Sequence, residues 1–181
     1  MFAPQGVDGS RGAIVVGIDP GLTRCGFAAL DDGPNGIAVV AMGVMSSPSD
    51  MDVAERLASL HHDISDLLDE TTPRAVAVEK VFFQSNARTA MSVAQASGVV
   101  LALASSRGIP VVQYSPSQVK SAVAGSGTAG KLAIQRMVQR RLGLSSLPQP
   151  PDAADAAAIA LCHLAVAPLA SAVSSARGVR A

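Results

Sequence analysis

Aromatic side chains are scarce: they make up 3% of the 181 residues, and tryptophan is absent. That excludes a recognition surface built from many rings, and it draws attention to any ring outside an apolar run. Charge is sparse as well, at 15% of residues, and 14 basic side chains balance 14 acidic ones. A zero balance argues against a protein that coats polyanions and leaves room only for a local basic patch. The two cysteines, Cys25 and Cys162, stand far apart in apolar contexts. No disulfide framework or zinc cluster follows from them, so a reducing, cytoplasmic setting is expected. The first twelve residues, MFAPQGVDGSRG, lack the apolar core of a signal peptide. The mostly apolar run from Ala156 to Val173 is broken by His163 and Pro168, which favours a buried helix over a membrane span.

What is abundant is alanine, valine and glycine, the residues of helices packed closely on a sheet. Residues 13–19, AIVVGID, read as a first strand, PGLTRCG as a tight turn and FAAL as a second strand. DDGPNG is a turn signal before a third strand, IAVVAMGVM. Val53, Leu57, Leu60, Ile64, Leu67 and Leu68 then recur at helical spacing, behind Asp50 or Asp52 as N-cap. RAVAVEK is a short buried strand, VFFQSNART a loop, and AMSVAQASGVVLALASSRG an alanine-rich helix. IPVVQY makes a fifth strand, SPSQVKSAV a short helix with Pro116 at its start, and AGSGTAGK a loop opening the helix KLAIQRMVQRRLG. A last helix begins near Asp152. This order predicts one α/β domain over residues 13–168, a five-stranded mixed sheet flanked by helices. A disordered N-terminal extension (1–12) and a flexible tail (169–181) are expected outside it.

Two strands end on an acid. Asp19 closes the first and Glu79 the fourth, and strand carboxyl ends of open α/β sheets are where functional groups gather. If these strands are neighbours, the two carboxylates repel, and a divalent cation resolves the conflict. PDAADAAAIALCH adds Asp152 and Asp155, three residues apart on one helical face whose neighbours are small or apolar. That face is expected to point inward. Asp152 alone could be an ordinary N-cap after Pro151, but a cap does not explain Asp155 a turn further in. Four oxygen donors without a matching histidine or cysteine cluster favour Mg²⁺ or Mn²⁺ over zinc. A pair of such ions roughly 4 Å apart suits in-line phosphoryl transfer, one activating a water and the other stabilising a leaving 3′ oxygen.

GIDPGLTRCGFA, VEKVFF, QVK, GSGTAGK and DAADAAAIA, in that order, resemble the motifs of RuvC-type Holliday junction resolvases, endonucleases of the ribonuclease H-like fold. The likeness runs from about Ile14 to about Ala167. It implies that Asp19, Glu79, Asp152 and Asp155 are the catalytic, metal-binding set, with two Mg²⁺ ions per site that Mn²⁺ can replace. It also implies a homodimer that nicks two like-polarity strands of a four-way DNA junction in recombination and repair, leaving 5′ phosphates and 3′ hydroxyls. RuvA and RuvB, the branch-migration proteins, are the implied partners.

The residues that could hold DNA lie near these acids. Phe82 and Phe83 follow a catalytic strand beside Gln84, Asn86 and Arg88. An exposed ring there can stack on an unpaired base for ~1–3 kcal/mol, while one of the two is expected to tuck into the core; the resemblance favours Phe82 for the DNA contact. Lys131 stands behind a glycine-rich loop at a helix start, a place that suits phosphate, and Lys120 lies on the preceding helix. The resemblance associates both lysines with DNA contact and cleavage. Arg136, Arg140 and Arg141 form a basic helix face whose ordinary reading is solvation. His61, His62 and His163 read as satisfied or half-buried, and both cysteines as small core residues. Three other readings compete: an actin-like ATPase, from the likeness of IDPGLT to a phosphate-binding hairpin; a branched-DNA-binding module that does not cut; and a YqgF-like nuclease of the same fold.

Overall fold

The computed structural model describes residues 12–81 and 87–178, and side chains within 12–81 and 90–167. The proposed N-terminal extension lies outside them except for Gly12. So do Phe82, Phe83, the side chain of Arg88, and the side chains of the C-terminal tail.

The elements run β1 (Ala13–Asp19), β2 (Arg24–Gly33), β3 (Gly36–Ser46), α1 (Val53–Thr71), β4 (Ala75–Glu79) and α2 (Ala87–Ser106). They continue with β5 (Val111–Tyr114), α3 (Pro116–Ala124), α4 (Lys131–Arg141) and α5 (Pro151–Gly178). The strands form one sheet in the order β3-β2-β1-β4-β5. β1, β2 and β3 make the expected antiparallel meander, while β4 and β5 join it in parallel through helical crossovers. No helix among the described residues is long and apolar enough to cross a membrane.

The period-two alternation of the strands divides the core in two. Ile14, Val16, Ile18, Val76 and Val78 pack with Leu60, Ile64, Val100 and Ala104 of α1 and α2. Val15, Ala28, Leu30 and Ala77 face the other way, onto the layer of α3, α4 and α5. Asp19 and Glu79 continue this second set, because they stand four residues on from Val15 and two on from Ala77 along the same face of their strands.

Helix α5 lies against the sheet with almost nothing between. A Cβ added at Gly17 would stand 2.2 Å from the Ala156 carbonyl oxygen and 2.9 Å from the Ala160 methyl. One added at Gly26 would stand 2.2 Å from the Asp152 carbonyl oxygen. Asp152, Ala156 and Ala160 are spaced by four, so a single stripe of the helix rides on glycines of β1 and β2.

One boundary and one cap differ from the sequence expectation. β2 begins at Arg24, not Phe27, because β3 continues to Ser46 and supplies a hydrogen-bonding partner for that earlier stretch. Asp52 occupies the N-cap position of α1, but its side chain makes no capping bond. α3 is capped as its sequence suggests: the Ser115 hydroxyl accepts from the Gln118 amide, the Gln118 side chain accepts from the Ser115 amide, and Pro116 leads the helix. Cys25 and Cys162 are buried free thiols, and desolvation pushes Cys25 up to about 12. His163 is buried with Nδ1 2.9 Å from the Tyr114 hydroxyl, so it is a satisfied core residue.

Candidate active site

β1 and β4 pair in parallel with Ile18 opposite Val78, so Asp19 and Glu79 close neighbouring strands one step further on. The N-terminus of α5 brings Asp152 and Asp155 to the same end of the sheet. Burial raises the Asp19 carboxyl to about 7, and the charges of Glu79, Asp155 and Asp152 push the same way, with Lys131 opposing. Glu79 is also raised, first by burial and then by Asp155, against the pull of Lys120 and Lys131. All four carboxylates therefore share one electrostatic neighbourhood.

Asp152 and Asp155 are only partly buried, which corrects the expectation that their face points inward. The alanines between and after them, Ala153, Ala154, Ala156 and Ala157, take the core positions, and the two acids sit at the rim. Nor is Asp152 an N-cap: it lies inside the first turn of α5. Its Oδ2 accepts from both Nε and Nη2 of Arg24, at 2.9 and 2.8 Å. Asp155 Oδ2 accepts from Lys131 Nζ at 2.8 Å, and that bond is the main reason the ammonium holds its proton more tightly than usual. The Asp19 carboxylate takes part in no ion pair among the described residues.

Each of these cations takes a single oxygen of its carboxylate. Among the described residues no three Asp, Glu, His or Cys side chains stand close enough together to hold a metal ion as they are placed. The donor chemistry still fits a hard divalent cation: four carboxylates, of which Asp19 and Glu79 are held protonation-prone by burial and nearby acids and form no ion pair among the described residues. Lys120 is half-buried and lowers the Glu79 carboxyl, so it too belongs to the site. Arg136, Arg140 and Arg141 are exposed on α4, in keeping with a solvated face.

Two residues of the neighbourhood were not legible as functional candidates. Arg24 falls inside PGLTRCG, which reads as a turn, and its reach to Asp152 depends on the early start of β2. Arg56 sits on α1 where a charged residue ordinarily meets solvent, yet it is 8% exposed. Its Nε donates to Ser47 Oγ at 3.0 Å and its Nη2 to Thr23 Oγ1 at 2.7 Å, while Ser47 Oγ donates to the Leu22 carbonyl at 2.7 Å. Together these bonds brace the β1–β2 connection that follows Asp19.

The description "Crossover junction endodeoxyribonuclease RuvC" matches residues 15–163, the whole span that carries the sheet and the four acids. The chain belongs to the RuvC family. A RuvC relative from Frankia casuarinae is 53% identical over 151 residues, 83% of this chain and 88% of its own length. One from Cutibacterium acnes is 44% identical over 165 residues, 91% of this chain and 84% of its own. Among solved structures, Thermus thermophilus RuvC in complex with a Holliday junction substrate aligns with a TM-score of 0.82 at 37% identity, covering 87% of this chain and 96% of that one. The five-stranded mixed sheet is thus a ribonuclease H-like fold, and the chain is a crossover junction endodeoxyribonuclease. The RuvC assignment sets aside the ATPase, the non-cutting module and the YqgF-like nuclease.

Proposed function

We propose that this chain resolves four-way DNA junctions by hydrolysing one phosphodiester in each of two like-polarity strands, with Asp19, Glu79, Asp152 and Asp155 as a divalent-metal site. The observation that carries this reading is the meeting of two sheet carboxylates and two helix carboxylates at one end of β1 and β4, with Asp19 raised to about 7 by burial and its acidic neighbours. Bound there, two Mg²⁺ ions, or Mn²⁺ in their place, would activate the attacking water and stabilise the departing 3′ oxygen. Asp19 and Glu79 hold their side of the site from rigid strands, and Asp152 and Asp155 hold theirs from the first turn of α5. Lys131 and Lys120 bring positive charge to the phosphate, and Phe82 stacks on a base beside the cut. The products carry 5′ phosphates and 3′ hydroxyls.

Two cuts call for two sites, so the active species is a homodimer. The outer face of α2 supports this: Met91 is 65% exposed and Gly98 faces open space, while Ala96, Val100 and Ala104 of the same helix fill the core. RuvA and RuvB are the partners that the motif likeness brings with it.

A synthetic four-way junction tests the proposal, incubated with the protein with and without Mg²⁺. Asp19→Asn, Glu79→Gln and Asp152→Asn are expected to keep junction binding and to lose cleavage by about a hundredfold or more. Asp155→Asn is expected to retain slightly more activity. Near-normal cutting by any one of them would remove that residue from the site.

A further inference from the structure

Arg24 meets Asp152 in a specific way. Both Nε and Nη2 of the guanidinium converge on Oδ2, at 2.9 and 2.8 Å, and Oδ1 has no hydrogen bond among the described residues. A pair formed merely to neutralise charge would gain more from the parallel two-oxygen fork that arginine and carboxylate readily make. Here one oxygen is held and the other is left available.

The two ends of the contact are also unusually well fixed. Arg24 is the first residue of β2, paired with Ser46 of β3, and it lies on the same strand face as Gly26. Gly26 brings β2 directly against the backbone of Asp152, since an added Cβ there would stand 2.2 Å from the Asp152 carbonyl oxygen. The residue before it, Thr23, is tied by its hydroxyl to the buried guanidinium of Arg56. Thus both the residue that presents Arg24 and the helix turn that presents Asp152 are anchored independently of their contact.

From this geometry we infer that Arg24 is a positioning residue for metal binding: it fixes the Asp152 carboxylate through Oδ2 and so presents Oδ1 to a divalent cation. The inference rests on the reading of Asp152 as a metal ligand. Hydrogen bonds to the outer atoms of metal ligands fix ligand orientation, and their removal commonly weakens metal affinity by about 10- to 100-fold. The opposing effect is electrostatic, since a guanidinium beside the site repels a cation; Arg24 is half-exposed to solvent, which screens that repulsion. Orientation therefore outweighs charge.

Calorimetric titration of the metal-stripped, full-length protein with Mn²⁺, without DNA, separates the possibilities. Arg24→Met is expected to weaken Mn²⁺ binding about tenfold or more, and Arg24→Lys, which keeps a donor and the charge, to recover part of the loss. Asp152→Asn, titrated alongside, tests the underlying reading: wild-type Mn²⁺ binding in that variant would remove Asp152 as a ligand. If Asp152→Asn loses Mn²⁺ affinity while Arg24→Met binds the ion as tightly as the wild type, or more tightly, the positioning role is overturned and Arg24 is a counter-ion only. Because Arg24 lies at the surface, thermal unfolding of Arg24→Met and of a second variant, Arg24→Gln, is expected to stay near that of the wild type.

Discussion

Asp19 and Glu79 close two adjacent parallel strands one register step beyond the Ile18–Val78 pair, on the side of the sheet that α5 covers. Burial makes deprotonation of both costly, and the charge of Glu79 adds to the cost at Asp19. Asp19 is raised from 3.8 to about 7, so between those values the folded chain binds more protons than the unfolded chain. Metal-free stability contributed by this group is full below the lower value and falls as pH rises through the upper one. Asp19→Asn removes that loss. In chelator, the variant is expected to be more stable than the wild type at about pH 8, by on the order of a few kcal/mol and with a higher unfolding temperature, and to show no such gain near pH 4. Scanning calorimetry at both pH values checks this; an equal difference at the two would exclude Asp19 as the titrating group. For the same reason, cleavage at limiting Mg²⁺ is expected to rise with pH through neutrality, with added Mg²⁺ moving the midpoint down.

Lys131 spends its charge on Asp155 in the absence of DNA, at 2.8 Å. If it transfers that charge to a phosphate, Lys131→Ala lowers the slope of log affinity against log salt by about one. Filter binding of a four-way junction across a salt series measures the slope. An unchanged slope would show that Lys131 never leaves Asp155.

Gly26 has no room for a side chain, because its Cβ would overlap the carbonyl of Asp152. Gly26→Ala must push the first turn of α5 away from β2, at a cost of about 1–3 kcal/mol in stability. Cleavage is expected to fall further than that loss of folded protein explains, since Asp152 moves with the backbone. Comparing turnover at a temperature where the variant is fully folded, judged by circular dichroism, isolates the effect.

Gly98 points into open space on the outer face of α2, so Gly98→Arg leaves the fold of one chain undisturbed. On a homodimer joined at that face it is expected to give a monomer by sedimentation. A cruciform plasmid would then be nicked and not linearised. Linearisation in one binding event by a proven monomer would refute the dimer.

The strands, the helices and the nearness of the four acids were readable because each is announced locally. Apolar alternation marks a strand, and a carboxylate at the end of an apolar run demands a cation wherever the chain goes. The parts that escaped depend on partners distant in sequence. Arg24 became a strand residue only because β3 reaches Ser46, and it found Asp152 across 128 positions. Arg56 looks like any solvated helix residue until Thr23 and Ser47 close over it. The orientation of Asp152 and Asp155 was misjudged for a related reason: the alanines beside them compete better for the core, and two basic side chains were available at the rim.

The stripe of Asp152, Ala156 and Ala160 riding on Gly26 and Gly17 removes the freedom to adjust by repacking side chains. A core of large side chains absorbs small errors by changing rotamers, but a methyl group has none to change and a glycine has no side chain at all. Tolerance at this seam is therefore that of main chain against main chain. Substitutions along it are expected to shift the helix and its two acids together, so the spacing between the strand carboxylates and the helix carboxylates is governed by the glycines and alanines between them. Such a joint lets the placement of the four carboxylates be reproduced from molecule to molecule, a precision inherited from the smallest residues in the chain.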